Sequence, residues 1–309
     1  MSAASGARPG GERRWPGRGA AVSAAPPSGR CARADDRRGL SVALGAGGER
    51  AVAWEVGVLA GLADLGWDLR GADTILGTSA GALVAARLAL GVDPRADASI
   101  HARRNPCVAP TRLPGSSFSV LGALWQAAEG SLTERRRALG AFAVAHARGD
   151  EDAFVARIGA LVPTDAWPAA LRVVAIDADT GERVVFGPDD GVPLARAVAA
   201  SRAVPGLRPP VTIGGRRFID GALGSATNAD VLDGYAVVIV PLTSRPETAV
   251  EAVWLAALRA EVRDGLVIDA DAGDVAAMGP DPMSGATAPL AVAAGRARAA
   301  RVAAARVAA

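Results

Sequence analysis

Nine consecutive residues constrain this chain more than any others: Thr74-Ile75-Leu76-Gly77-Thr78-Ser79-Ala80-Gly81-Ala82. An apolar, β-branched run enters a Gly-x-Ser-x-Gly turn, and an Ala/Leu-rich run leaves it. This is the layout of a nucleophile elbow, in which a strand ends, the chain turns sharply and a serine stands at the start of a helix. Gly77 and Gly81 are expected to be steric requirements, because a side chain at either would strike the neighbouring strand or helix. The pentapeptide alone is a weak signal, and its strand–turn–helix setting makes it a specific one.

Composition removes several alternatives. All 34 basic residues are arginine, so a Schiff-base lysine, a Ser–Lys dyad and a P-loop lysine are excluded. The formal net charge of +2 gives no general case for a nucleic-acid partner. The two cysteines, Cys31 and Cys107, have no metal-ligand spacing and read as unpaired thiols in a reducing, cytoplasmic setting. No metal and no cofactor is expected. No apolar run approaches the ~20 residues of a membrane span, and Glu55, Asp64 and Arg87 interrupt the best candidates.

Residues 1–39 are rich in Gly, Pro, Ala, Ser and Arg and poor in large apolar side chains, which predicts a disordered tail. The segment has no apolar core of a secretory signal. Its arginines admit a transit peptide or a basic tether as alternatives. From Leu40 the pattern alternates: strands at Leu40–Leu44 and Asp73–Leu76, helices at Ala51–Gly66 and Ala80–Leu90. Residues 101–168 read as helical with a break near Pro114–Ser117, either a lid or core packing. Strands follow at Leu171–Asp177 and Arg183–Phe186, then a helix at Pro193–Ser201 and a rigid loop at Pro205–Pro210. Val211–Ile213 and Arg216–Ile219 flank Gly214-Gly215 as a hairpin. A strand at Tyr235–Leu242, a helix at Ala249–Asp264, a short strand at Leu266–Ala270 and an Ala/Arg helix at Thr287–Ala309 complete the chain. This alternation predicts a three-layer α/β/α fold with a central, largely parallel sheet.

A serine hydroxyl needs a base to take its proton. The two histidines, His101 and His146, lie in the helical middle region with no motif around them, and none follows position 146. The order Ser, then acid, then a late His is therefore closed to this chain. Asp220 is the best remaining base. It ends the β-branched/aromatic strand Arg217-Phe218-Ile219 and precedes Gly221, so it can approach another backbone closely. The competing reading of Asp220-Gly221 is a simple turn. Gly47 and Gly48, in the loop after the first strand, offer unobstructed backbone N–H groups to an oxyanion. Arg50 either adds charge there or pins the loop, and the helix starting at Ala80 contributes its dipole. A dinucleotide-binding reading of the same loop fails, because Arg50 stands where the third glycine belongs and no acidic strand end follows about 20 residues on.

Four separated segments then agree with one family. They are Ala46-Gly47-Gly48-Glu49-Arg50-Ala51, Gly77-Thr78-Ser79-Ala80-Gly81, Ala200-Ser201-Arg202-Ala203-Val204-Pro205 and Asp220-Gly221-Ala222, with Trp54-Glu55 after the first. In this order they resemble the patatin-like phospholipase family, particularly its bacterial members, over residues 40–285. Residues 286–309 would form a separate C-terminal helix. The resemblance implies a Ser79–Asp220 dyad that hydrolyses lipid acyl esters through an acyl-enzyme, with Gly47, Gly48 and Arg50 serving the oxyanion and Gly77, Gly81 and Gly221 supporting the motifs. It implies a lipid or fatty-acyl ester as partner and admits peripheral contact at a membrane; Arg296, Arg298, Arg301 and Arg306 are candidates for meeting anionic head groups, with a solvated helix as the alternative, since they spread widely around it. The chain departs from the family where Ala46 and Ala51 replace glycine, which would misform the loop if Ala46 required positive φ. A non-catalytic lipid- or protein-binding module and a general carboxylesterase or thioesterase are the alternative functions.

Overall fold

The computed structural model describes residues 39–103, 116–162, 164–232, 235–241, 255–260, 262 and 265–307. The expected tail, both cysteines and most of the expected helix Ala249–Asp264 lie outside these residues.

Eight strands form one mixed sheet flanked by helices: β1 (Leu40–Leu44), β2 (Thr74–Thr78), β3 (Leu171–Asp177), β4 (Arg183–Phe186), β5 (Val211–Ile213), β6 (Arg216–Asp220), β7 (Tyr235–Val240) and β8 (Gly265–Asp269). The hydrogen-bonded path runs β5-β6-β3-β2-β1-β7-β8, with β4 also on β3. The β8-β7-β1-β2-β3 run is parallel throughout, and the pairs involving β4, β5 and β6 are antiparallel. β1 and β2 are each buried over four consecutive residues because both faces are covered, as parallel strands require.

The register on β3 brings two distant chain ends together. β4 occupies one edge of β3 over Val173–Ile176. β2 pairs with Leu171–Val174 and β6 with Ala175–Asp177. Each overlaps β4 in register, and a strand has only two edges, so β2 and β6 share the other edge, end to end. Thr78 pairs with Val174 and Asp220 with Ala175, so the two strands stop at adjacent positions.

The helices are α1 (Gly48–Asp64), α2 (Ala80–Ala89), α3 (Pro94–Ala102), α4 (Ser116–Ala127), α5 (Leu132–Ala145), α6 (Glu151–Gly159), α7 (Leu194–Ser201), α8 (Ala272–Met278) and α9 (Ala288–Val307), and residues 255–260 are also helical. α1 begins three residues before the sequence pattern suggests, so Gly48, Glu49 and Arg50 form its first turn. It is buried from Arg50 to Ala63, and Leu65, just beyond its end, is exposed. α3 and α8 are additions to the predicted elements; both are too short for an apolar period to mark them.

α9 closes over α1 at very short range. A Cβ on Gly57 of α1 would stand 2.4 Å from the Val292 carbonyl oxygen of α9. Gly57→Val is therefore expected to force the helices apart and cost about 3 kcal/mol or more, read as a lower midpoint in urea unfolding. Three of the four C-terminal arginines proposed for head groups form ion pairs within the chain: Arg296 with Asp64, and Arg298 and Arg301 with Asp271 and Asp274. Among the described residues no helix is long and apolar enough to cross a membrane.

Candidate active site

Ser79 follows the last residue of β2 and caps α2. Its backbone is at φ 53 and ψ −112, one of two non-glycine residues at positive φ among those described. Backbone held in such a sparsely populated region is stored strain of the kind found at functional sites. The two flanking glycines make the turn possible by close approach. A Cβ on Gly81 would stand 2.1 Å from the Leu44 carbonyl oxygen, and one on Gly77 2.5 Å from the Ala82 Cα. The Gly81 amide donates to the Gly45 carbonyl at 2.9 Å, which fastens the elbow helix to the glycine-rich loop.

The Ser79 hydroxyl donates to Asp220 Oδ2 at 2.7 Å. Both residues are buried, at 7% and 4% exposure. The other carboxylate oxygen, Oδ1, accepts from the Ala222 amide at 2.9 Å, so Asp220-Gly221-Ala222 is a turn as well as a site. Gly221 is required here because a Cβ would lie 2.2 Å from the Val174 carbonyl oxygen. Burial raises the Asp220 pKa to about 6, against the pull of the Ala222 amide, the Ser79 hydroxyl and the Arg202 charge. This carboxyl therefore titrates near neutrality, where a general base works best.

The glycine-rich loop lies at the start of α1. The amide of Ala46 donates to the Ala226 carbonyl at 2.8 Å. Gly47 is the N-cap residue and Gly48, at φ +76, the first helical one, so their amides belong to the end of a helix where no backbone acceptor is provided. Neither Ala46 nor Ala51 is at positive φ, so the alanines do not distort the loop. The Arg50 guanidinium donates to the Gly279 carbonyl oxygen, and its amide reaches the Pro282 carbonyl at 3.4 Å. Burial lowers its pKa, and Asp281 acts in the opposite sense. Of the two roles expected for Arg50, this contact is the one that pins the loop.

Four further residues build the site. Ser201 ends α7, and its hydroxyl accepts the Ser79 amide at 2.9 Å. Arg202, next in sequence, donates to Glu49 at 2.6 Å and to the carbonyls of Ser79 and Ala80 at 3.4 and 3.5 Å. It thereby links the first turn of α1 to the elbow. Both residues lie within the Ala-Ser-Arg-Ala-Val-Pro segment, whose recurrence was legible but whose contacts were not. Glu55, fully buried in α1, has its pKa pushed well above the carboxylate range by burial, against the Gly45 amide and Arg202, which favours the neutral acid.

Asn228 is the fourth. It sits at φ 49, a conformation Asn tolerates better than most residues. Its side-chain amide donates to Thr78 Oγ1 and the Gly221 carbonyl, both at 3.1 Å, and so brackets the two ends that carry Ser79 and Asp220. Asn228→Ala is expected to cost about 2–4 kcal/mol by leaving those buried acceptors unpaired, measured by chemical unfolding. The histidines make their contacts elsewhere. His146 stacks on Phe142 at 4.3 Å between centroids, and His101 lies 3.8 Å from Asp97.

The family model for patatin-like phospholipases matches residues 42–233, more than half of the chain and all four motifs. No curated protein sequence matches significantly. Solved structures with similarity include VipD from Legionella pneumophila, at 13% identity over 85% of this chain and 66% of that one, with a TM-score of 0.40. The type III effector ExoU is 17% identical over 87% of this chain and 53% of its own, with a TM-score of 0.42. Full-length ExoU in complex with SpcU, from Pseudomonas aeruginosa, gives 19% identity, 87% and 52% coverage and a TM-score of 0.38. The chain thus spans between about half and two thirds of the length of those proteins, and global similarity of this size supports no functional inference. The match of the family model across the β1 loop, the elbow and the Asp220 turn is of another order: this chain belongs to the patatin-like phospholipase family.

Proposed function

We propose that this protein is a serine acylhydrolase of the phospholipase A or lysophospholipase type, which cleaves lipid acyl esters through Ser79 and Asp220. The 2.7 Å hydrogen bond from the Ser79 hydroxyl to a buried Asp220 carboxylate carries this reading. In the proposed reaction Asp220 takes the hydroxyl proton as Ser79 Oγ bonds to the ester carbonyl carbon. The negative charge that develops on the carbonyl oxygen is held by the Gly47 and Gly48 amides and the N-terminal end of α2. Collapse of that adduct breaks the ester C–O bond, and the leaving alcohol takes the proton from Asp220. Water then attacks the acyl-serine, giving its proton to the same carboxylate. The carbonyl–serine bond breaks, the proton returns to Ser79 and the fatty acid leaves. Arg50, through its contact with the 279–282 segment, supports the loop in this scheme.

A fluorophosphonate probe tests the proposal directly. The wild-type protein is expected to be labelled at Ser79 and Ser79→Ala to be inert. Absence of labelling on folded wild type, or equal labelling of the variant, would overturn the assignment. Purified protein offered phospholipids, lysophospholipids, acylglycerols and short-chain esters is expected to prefer long acyl chains. Preference for short-chain soluble esters or thioesters would instead identify a general carboxylesterase or thioesterase.

A further inference from the structure

Beyond α7, one half-buried charge forms no ion pair among the described residues. Arg208 lies in the Pro205–Pro210 loop, and its guanidinium carbon stands 5.5 Å from the centre of the Phe154 ring. Arg157, on the same helix α6 as Phe154, places its own guanidinium carbon 5.8 Å from that centre. Phe154 itself is buried, at 3% exposure. A ring face attracts a cation, yet two cations on one ring repel each other. Among the described residues neither Arg157 nor Arg208 forms an ion pair. Burial lowers the Arg208 pKa; Glu49 opposes that shift, and Arg157 and Arg202 add to it. Glu49, however, is already engaged by Arg202 at 2.6 Å. Arg157 and Arg208 thus bring two positive charges to one ring with no carboxylate paired to either among the described residues. Arg202 also touches the carbonyls of Ser79 and Ala80, so the chain leading into the Pro205–Pro210 loop is fastened to the elbow.

We propose that Arg157 and Arg208, both set over the Phe154 ring, form a seat for a phosphate group, supplied by the head group of the acyl-ester substrate. The inference rests on the acylhydrolase reading for the identity of that substrate, but not for the existence of the seat. Guanidinium forks match phosphate oxygens in pairs, and a bound phosphate would neutralise both unmatched charges. The same chemistry would accept free inorganic phosphate.

Two measurements separate these cases. Inorganic phosphate is titrated calorimetrically into the full Ser79→Ala chain, with and without Arg157→Gln and Arg208→Gln. Binding is expected in the first and at least about tenfold weaker binding in the second. On the active protein, the ratio of kcat/KM for a lysophosphatidate to that for the monoacylglycerol of the same chain length is expected to fall about tenfold. The Arg157→Gln variant, altered at an exposed position, guards against a folding defect. Weakened phosphate binding with an unchanged substrate ratio would assign the seat to free phosphate and overturn its head-group role. No phosphate binding together with an unmoved ratio would overturn the seat altogether. A wild type that turns over no ester would sink the acylhydrolase reading, while the titration would still decide the seat.

Discussion

Asp220→Asn is expected to be as inactive as Ser79→Ala, with both at least about a thousandfold below wild type in kcat, because the two groups act as one unit. The geometry explains why so small a change has so large an effect. In the wild type, Oδ1 accepts the Ala222 amide and Oδ2 accepts the serine hydroxyl. An asparagine must turn its oxygen toward the Ala222 amide, since its NH2 cannot accept that bond. The NH2 then faces Ser79 and donates to Oγ. The hydrogen bond is preserved but reversed, and the serine has nowhere to send its proton. Steady-state kinetics on a long-chain ester checks this. An Asp220→Asn variant retaining a tenth of the activity would place the base elsewhere.

The second large effect is on pH dependence, and it appears in both activity and stability. If Asp220 must be ionised to accept the proton, kcat/KM should rise about tenfold per pH unit up to about pH 6 and level off above it. The Arg202 charge pulls this pKa downward, so Arg202→Gln should move the limb to higher pH. For stability the sign is opposite to that of an ion-paired carboxylate. The folded pKa, about 6, exceeds the ordinary 3.8, so the folded state binds more protons between these values. Stability is greatest below the lower value, falls as pH rises through the folded pKa and stays reduced above it. At pH 7 the buried charge costs on the order of 2–3 kcal/mol. Asp220→Asn should therefore be dead as a catalyst yet more stable than wild type at pH 7, with the advantage vanishing near pH 4. Urea unfolding at both pH values checks the prediction, and a variant less stable at pH 7 would contradict it.

The elements that sequence reasoning located well are those with local causes. The elbow combines glycine spacing with a change from β-branched to Ala/Leu-rich residues, and the hairpin at Gly214-Gly215 needs only its turn chemistry. Arg50 shows where local reading stops. Its place in the motif allowed either a charge for the oxyanion or a pin for the loop, and the choice depends on a carbonyl 229 residues away. Asn228 left only the faint mark of an asparagine in a polar turn, because the groups it brackets come from Thr78 and Gly221. The start of α1 was misplaced for a related reason: Gly48 disfavours helix by propensity, and it is the fold around it that makes it the first helical residue.

By itself, the sequence determined that a serine would sit between a strand and a helix. It also determined that neither lysine nor a late histidine would serve that serine, and that a carboxylate would end a later strand beside glycine. Each follows from residue chemistry or short-range sterics. Only the tertiary structure decided that this serine and this carboxylate meet, 141 residues apart. β4 takes one edge of β3, so β2 and β6 must share the other and stop against each other. Strand pairing is made by backbone groups that every residue carries alike, so the choice of partner and register leaves no mark in either segment alone.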